Sequence, residues 1–185
     1  MPAAPRELHL SDMTASPPTR RAFVALGANL EDPAAQLKAA AAALAELPDS
    51  RLLRVSSLYR SAPVDVGNES QPDYVNAVAE LATTLSPHAL LAELFSIEAR
   101  FGRRRAGRNA PRTLDLDLLL VDQLCLDEVC VGDVLLSLPH PRMHLRAFVI
   151  QPLVEIAPDS RIPRRGLAAA WLPAVASQRI ERLAE

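Results

Sequence analysis

Tyr74-Val-Asn-Ala-Val-Ala-Glu-Leu-Ala-Thr83-Thr-Leu-Ser-Pro87 is the stretch on which the fold turns. Val75, Ala77, Ala79 and Leu81 fall on one face, and Tyr74, Asn76, Val78 and Glu80 on the other. A period of two is the mark of a β-strand. Ser86 then stands before Pro87, an N-cap residue followed by the one residue whose fixed φ suits the first helical position. The helix so opened reads to about Phe101, with Gly102 as its stop.

Working outward, Leu52 to Tyr59 alternates enough for another strand. Between the two lies Ser61 to Pro72, a loop holding Pro63, Gly67, Asn68 and Pro72. Loops of about a dozen residues are more often functional than not. Further back, the apolar run from Arg21 to Gly27 is ended by glycine and reads as a buried first strand. Asp32 and Pro33 cap an alanine-rich helix from Ala34 to Leu47, stopped by Pro48. Downstream, residues 103–112 form an arginine-rich loop and Leu114 to Val121 a fourth strand. Val129 to Leu136 supplies short edge strands, Arg142 to Ile156 one or two short helices broken at Pro152, and Leu167 to Leu172 a turn of helix.

The order is therefore β-α-β-β-α-β followed by a tail. That is the split βαβ, ferredoxin-like arrangement: an α+β sandwich whose antiparallel sheet carries two helices on one face. Residues 1–20, with Pro2, Pro5, Pro17 and Pro18, read as a disordered extension. Residues 21–160 read as the domain, and 161–185 as a tail packed on or beside it.

Composition narrows the function classes. The 185 residues are 49% hydrophobic and 23% charged with a net charge of -2, which does not suit a nucleic-acid coat or a membrane-surface protein. Cys125 and Cys130 are too few for a disulfide framework and form no CxxC knuckle, so a reduced, cytoplasmic compartment is expected. No apolar run is long enough for a membrane span. Nineteen of the 20 basic residues are arginine; the lone lysine, Lys38, sits in Leu-Lys-Ala-Ala, so there is no Walker A loop. HExxH, GxGxxG and GxSxG are all missing.

The densest chemistry lies in Pro111-Arg-Thr-Leu-Asp115-Leu-Asp117-Leu-Leu-Leu120. On a strand, Asp115 and Asp117 share a face about 6–7 Å apart, with Leu114, Leu116 and Leu118 opposite. Two such carboxylates repel, and a hard divalent cation such as Mg²⁺ or Mn²⁺ is the usual compensation. A solvated strand face with two unrelated acids has the same spacing, and the preceding loop weighs against it. Arg100, Arg103, Arg104, Arg105, Arg108 and Arg112 crowd the residues just before the acids. Arginine suits bidentate phosphate contacts, and a cationic loop beside a metal-binding pair is what a polyphosphate with Mg²⁺ requires. RNA binding would want aromatics on the strand from Leu114 to Val121, which has none.

Two weaker signals accompany it. In Pro139-His-Pro-Arg-Met-His144-Leu-Arg146, prolines fix a turn from which His140, Arg142 and Arg146 can reach a phosphate. His144 reads as helix surface or a local cap. Tyr74 and Asn76 share a strand face that suits stacking and edge hydrogen bonding of a flat heterocycle.

Taken together, several segments resemble the 6-hydroxymethyl-7,8-dihydropterin pyrophosphokinase family of folate biosynthesis. They are Phe23-Val-Ala-Leu-Gly-Ala-Asn-Leu30, Val55-Ser-Ser-Leu-Tyr-Arg60, Gln71-Pro-Asp-Tyr-Val-Asn76, Gly102-Arg103, Pro111-Arg-Thr-Leu-Asp-Leu-Asp117, Pro139-His-Pro-Arg-Met-His144 and Pro152-Leu-Val-Glu-Ile-Ala-Pro158. The resemblance covers roughly residues 22–160. It implies a ferredoxin-like fold and diphosphate transfer from ATP to the pterin hydroxymethyl group, with AMP leaving. It implies that Asp115 and Asp117 hold two Mg²⁺ ions, and that Arg103 and Arg112 contact phosphate and steady the transferred group. Glu98, Arg105, His140 and Arg146 join Arg103 and Arg112 around ATP. Tyr74, Asn76 and Phe148, with Ser61 and Val64 on the adjacent loop, form the pterin pocket. The loops 61–72 and 103–111 are expected to close over both substrates. The partners implied are ATP and the pterin, with no nucleic acid and no membrane, for a cytoplasmic monomer. A non-catalytic ferredoxin-like nucleotide-binding module is the alternative.

The sequence departs from the family pattern in three places, one of them its two ends, since residues 1–20 and 161–185 have no usable match. Arg108-Asn109-Ala110 stands where some members carry a tryptophan that stacks on the pterin, and Leu145 stands where many have an acid.

Overall fold

The computed structural model describes residues 17–63, 71–102, 113–131 and 134–184. The expected N-terminal extension lies outside the described residues as far as residue 16. The main sheet is built from β1 (Arg20–Ala28), β2 (Ser50–Val55), β3 (Tyr59–Ser61), β4 (Tyr74–Thr83) and β5 (Asp115–Val121), with a late strand, β10 (Ile180–Arg182). Its order is β10-β3-β4-β1-β5, with β2 also paired to β4, and all pairings are antiparallel. This is the ferredoxin-like sheet expected from the element order.

Helices α1 (Pro33–Ala45) and α2 (Pro87–Arg100) return the chain across one face. Both begin as their sequences dictate: Asp32 accepts a hydrogen bond from the Ala35 amide at 3.1 Å, and Ser86 from that of Ala89 at 3.2 Å. Each satisfies a donor that a helix start would otherwise leave unpaired. Leu37, Ala40 and Leu44 of α1 and Leu90, Leu94 and Ile97 of α2 pack on Val24, Leu26, Leu81, Leu116 and Leu118 of the sheet.

The other face is covered as well, which the two-helix expectation did not include. Helix α3 (Ala147–Ile156) and the segment after it pack Val149, Ile150, Leu153, Ile162 and Ala168 against Phe23, Val78, Leu119 and Leu120. The reason lies in β4 and β5, which carry apolar residues on both faces. Each large side chain so buried contributes about 1.5–3 kcal/mol, so a bare second face would be costly.

Four local readings are corrected. First, the single strand expected over 52–59 is two, because the Ser56 hydroxyl accepts the Val78 amide at 3.0 Å and Ser57 turns to the Glu155 carboxylate. Second, β1 does not end at Gly27 but runs through it to Ala28, still paired on both sides. Third, Pro152 does not break the helix: α3 is continuous across it, with Val149, Ile150, Leu153 and Ile156 all buried. Burial of that apolar stripe outweighs the one backbone hydrogen bond a proline forfeits. Fourth, His144 is not a surface residue; it is buried edge-on against Trp171, with ring centroids 4.6 Å apart.

Short edge strands were expected over 129–136. Those residues belong to a separate hairpin, β6 (Leu126–Val131) with β7 (Val134–Leu138). A second small hairpin pairs β8 (Arg161–Ile162) with β9 (Gly166–Leu167). The chain then returns to the main sheet, where β10 pairs Ile180 with Ser61 and Arg182 with Tyr59.

Candidate functional site

Register decides which side chains meet. Gly27 of β1 lies opposite Asn76 of β4 on one side and opposite Asp115 of β5 on the other. One step along, Ala25 lies opposite Val78 and Asp117. Residues directly opposite one another share a sheet face. Tyr59, Asn76, Gly27 and Asp115 therefore form one row across four strands, on the face that α3 covers. At about 4.8 Å per strand, Asn76 and Asp115 stand roughly 10 Å apart. Gly27 leaves a trough between them, since a Cβ there would lie 3.4 Å from the Asn76 side-chain oxygen.

The Asn76 end of the row is preorganised. Asn76 is 5% exposed and donates from Nδ2 to the Ser61 hydroxyl at 2.9 Å. Tyr74, two residues along the same face, donates its hydroxyl to Gln71 at 3.4 Å. Ser61 also lines a cleft of about 330 Å³ whose other walls include Ala147, Phe148 and Gln178. Clefts of that size accept a small flat ligand. Ser61, Asn76 and Phe148 are thus gathered at one end of the sheet. Val64 lies outside the described residues.

The Asp115 end is the charged one. Asp115 and Asp117 are each half-buried and point to the α3 face, while Leu114, Leu116 and Leu118 pack beneath α1 and α2. A bulge opposite Phe23 and Val24 adds Leu119 to β5. The carbonyl of Leu119 accepts the His140 amide at 2.9 Å, which brings the 139–146 turn against the acids. His140 is pushed down to about 4, chiefly by burial and then by the cations of Arg146 and Arg142, with Asp115 opposing. It is neutral near pH 7.

Arg146 joins the two ends. Its Nη1 lies 3.9 Å from the Asp117 carboxylate, and its guanidinium sits over the Phe148 ring, 5.4 Å from the centroid. Glu98 is only 3% exposed and accepts the Leu116 amide at 2.7 Å, tying the end of α2 to the start of β5 directly behind the two aspartates. Arg103, Arg105 and Arg112 lie outside the described residues, as does the rest of the 103–112 loop.

The donor set fits a hard cation. Among the described residues no group of three His, Cys, Asp or Glu side chains converges. An all-oxygen pair on one strand face suits Mg²⁺, which keeps several waters and binds through one or two carboxylates plus substrate phosphates.

Three residues of this region have no site role in the sequence reading above. Gly27 was read as a strand stop; its place between Asn76 and Asp115 depends on register. Tyr59 fills the row beyond Asn76 and donates its hydroxyl to Glu155 at 3.0 Å. Gln178 reaches the start of α3 from the C-terminal segment. A glycine inside an otherwise apolar strand is the one signal that could have been found, since it marks a close approach.

The comparisons with known proteins give the family and the fold. A sequence model of the 7,8-dihydro-6-hydroxymethylpterin-pyrophosphokinase (HPPK) family matches residues 23–158. A 2-amino-4-hydroxy-6-hydroxymethyldihydropteridine pyrophosphokinase of Pseudomonas aeruginosa is 45% identical over 164 residues, covering 89% of this chain and 97% of the relative. The Haemophilus influenzae protein of the same name is 43% identical over 162 residues, covering 88% and 97%. A crystal structure of a triple mutant of Plasmodium falciparum HPPK-DHPS superposes with a TM-score of 0.67 at 13% identity, covering 86% of this chain and 44% of that longer one. That last likeness is one of fold. With three quarters of its length matched by the family model and both bacterial relatives aligned over nearly their whole length, the chain belongs to the 7,8-dihydro-6-hydroxymethylpterin-pyrophosphokinase family.

Proposed function

We propose that this chain carries out its family's reaction, transfer of diphosphate from ATP to the hydroxymethyl group of 6-hydroxymethyl-7,8-dihydropterin, with the Asn76–Gly27–Asp115 row as its scaffold. The observation that carries the assignment of roles is that row: a cleft lined by Ser61 and Phe148 beside Asn76 at one end and two carboxylates at the other. The spacing suits a bicyclic substrate whose reacting hydroxymethyl group points toward the acids.

In this reading Asn76 and Ser61 hydrogen-bond the edge of the heterocycle, and Tyr74, Phe148 and Val64 supply its flanking surfaces. Asp115 and Asp117 would hold the two Mg²⁺ ions that accompany ATP. When bound, the metal supplies neutralisation of the charge on the phosphates. Arg146 and His140 line the phosphate side. Neutral at working pH, His140 offers one hydrogen bond without adding charge. Arg103, Arg105 and Arg112 complete the phosphate contacts, with Arg103 and Arg112 on the transferred group. Glu98 holds the Asp115–Asp117 strand in place from behind, at the rim of the ATP site. The hydroxymethyl oxygen forms a bond to the β-phosphorus as the bond from that phosphorus to the α–β bridging oxygen breaks. AMP departs with that oxygen, and the hydroxyl proton passes to solvent. Phosphoryl transfer of this kind needs positioning and charge compensation more than covalent help from the protein.

We also propose a single domain over 21–160 with the 161–185 segment packed on it, acting as a cytoplasmic monomer without a nucleic-acid partner. Among the described residues no helix is long and apolar enough to cross a membrane. The test is one reaction of protein, ATP, Mg²⁺ and 6-hydroxymethyl-7,8-dihydropterin, with nucleotides separated by chromatography. AMP formed only when the pterin is present is the expected result. ADP in its place would indicate an ordinary kinase. Nucleotide bound but not cleaved would leave the non-catalytic module, a reading that family membership does not favour.

A further inference from the structure

Arg146 occupies an unusual joint. It is extended (φ −122°, ψ 113°), between a short 3₁₀ turn at Met143–Leu145 and the first turn of α3. As N-cap of α3 it offers no side-chain cap. The Ala147 amide at the first helical position is therefore a donor in need of a partner, in a residue only 1% exposed. The partner comes from 31 residues away: the Gln178 side-chain oxygen accepts the Ala147 amide at 2.8 Å. The same carboxamide donates from Nε2 to the Leu145 carbonyl, also at 2.8 Å.

One side chain thus bridges the backbone on both sides of Arg146. Rotation about φ and ψ of residue 146 would change the distance between the Leu145 carbonyl and the Ala147 amide, so holding both fixes the direction in which the guanidinium leaves the chain. Gln178 is itself held. The Arg179 side chain pairs with Asp73, its carbonyl accepts the Ala62 amide at 3.4 Å, and β10 begins at Ile180 opposite Ser61. Gln178 also lies beyond the residues that the family model matches.

We propose that Gln178 is a positioning residue for diphosphate transfer: its carboxamide clamps the backbone about Arg146 and so holds the guanidinium against Asp117 and Phe148. This rests on the function proposed above. It makes the C-terminal segment a working part of the site, linking the ATP side through Arg146 to the heterocycle side through Ser61.

The test is a double-mutant cycle on the full chain, Gln178→Ala, Arg146→Ala and the pair, read as AMP formation over a range of ATP concentrations. Gln178→Ala should raise the KM for ATP about tenfold while kcat changes little, the pattern of lost binding rather than lost chemistry. If Gln178 acts through Arg146, the double variant should lose no more than Arg146→Ala alone. Gln178→Glu keeps the acceptor for Ala147 but sets a carboxylate against the Leu145 carbonyl. Its KM relative to the unaltered chain should recover as pH falls and the carboxyl regains a donor, a response that a purely structural role does not produce. It also carries the test if Gln178→Ala does not fold. Additive losses in the cycle, or an unchanged KM in folded Gln178→Ala, would overturn the proposal. Absence of AMP from the unaltered chain would instead overturn the function on which it rests.

Discussion

Arg146 stands 3.9 Å from the Asp117 carboxylate while its guanidinium lies over the Phe148 ring. One cation thereby touches the acidic end of the site and the aromatic wall of the cleft. A planar, always-charged group does both at once, which a lysine ammonium does not. Arg146→Ala should lower kcat/KM by about one to two orders of magnitude, or ~1.4–2.7 kcal/mol. Arg146→Lys should recover part of that through charge alone. Steady-state kinetics against both substrates decide it, and wild-type values in both variants would remove Arg146 from the site.

Asp115 and Asp117 differ from ordinary surface acids in sharing one half-buried strand face. Replacing either by alanine should reduce AMP formation by about three orders of magnitude, ~4 kcal/mol of transition-state stabilisation. The melting temperature should fall little, because removing one of two like charges relieves repulsion. Near-normal turnover in either variant would contradict the metal-holding role.

Gly27 has no side chain where the trough runs, and its φ is not in the left-handed region. Alanine is therefore compatible with the backbone, and Gly27→Ala should fold with a stability within about 0.5 kcal/mol of the parent. The added methyl lies beside the Asn76 carboxamide, so the KM for the pterin should rise severalfold while that for ATP stays put. Equal changes in both constants would argue that the trough is not the heterocycle's path.

His140 makes acid stability a local matter. Its folded pKa, about 4, lies below the ordinary histidine value of 6.5. The unfolded chain therefore binds the proton more tightly, and folding stability falls as pH drops from above 6.5 toward 4. At pH 5 this one group should cost about 2 kcal/mol relative to pH 7. In urea unfolding without metal or nucleotide, His140→Gln should lose correspondingly less stability on acidification. Parallel losses in both proteins would mean that the imidazole is not held neutral by the fold.

Much was legible in the residues alone, and the reason is locality. The alternation from Tyr74 to Thr83, the Asp32 and Ser86 caps with the prolines after them, and the apolar runs from Arg21 to Gly27 and from Leu114 to Val121 are set within a few residues. They placed α1, α2, β1, β4 and β5, and with them the antiparallel ferredoxin-like sheet. The shared face of Asp115 and Asp117 follows from the two-residue period of any strand. The tertiary structure decided what depends on residues far apart in the chain. Register put Gly27 between Asn76 and Asp115, and the Leu119 bulge gave the His140 turn its anchor. Glu155, reaching back to Ser57 and Tyr59, split one expected strand into two. Apolar cover for the second face of β4 and β5 kept α3 whole across Pro152 and buried His144. The meeting of Gln178 with the backbone beside Arg146 needed β10 to close on Ser61. Each of these is a long-range contact whose partners are chosen by packing of the assembled sheet, and no window of the sequence contains both members.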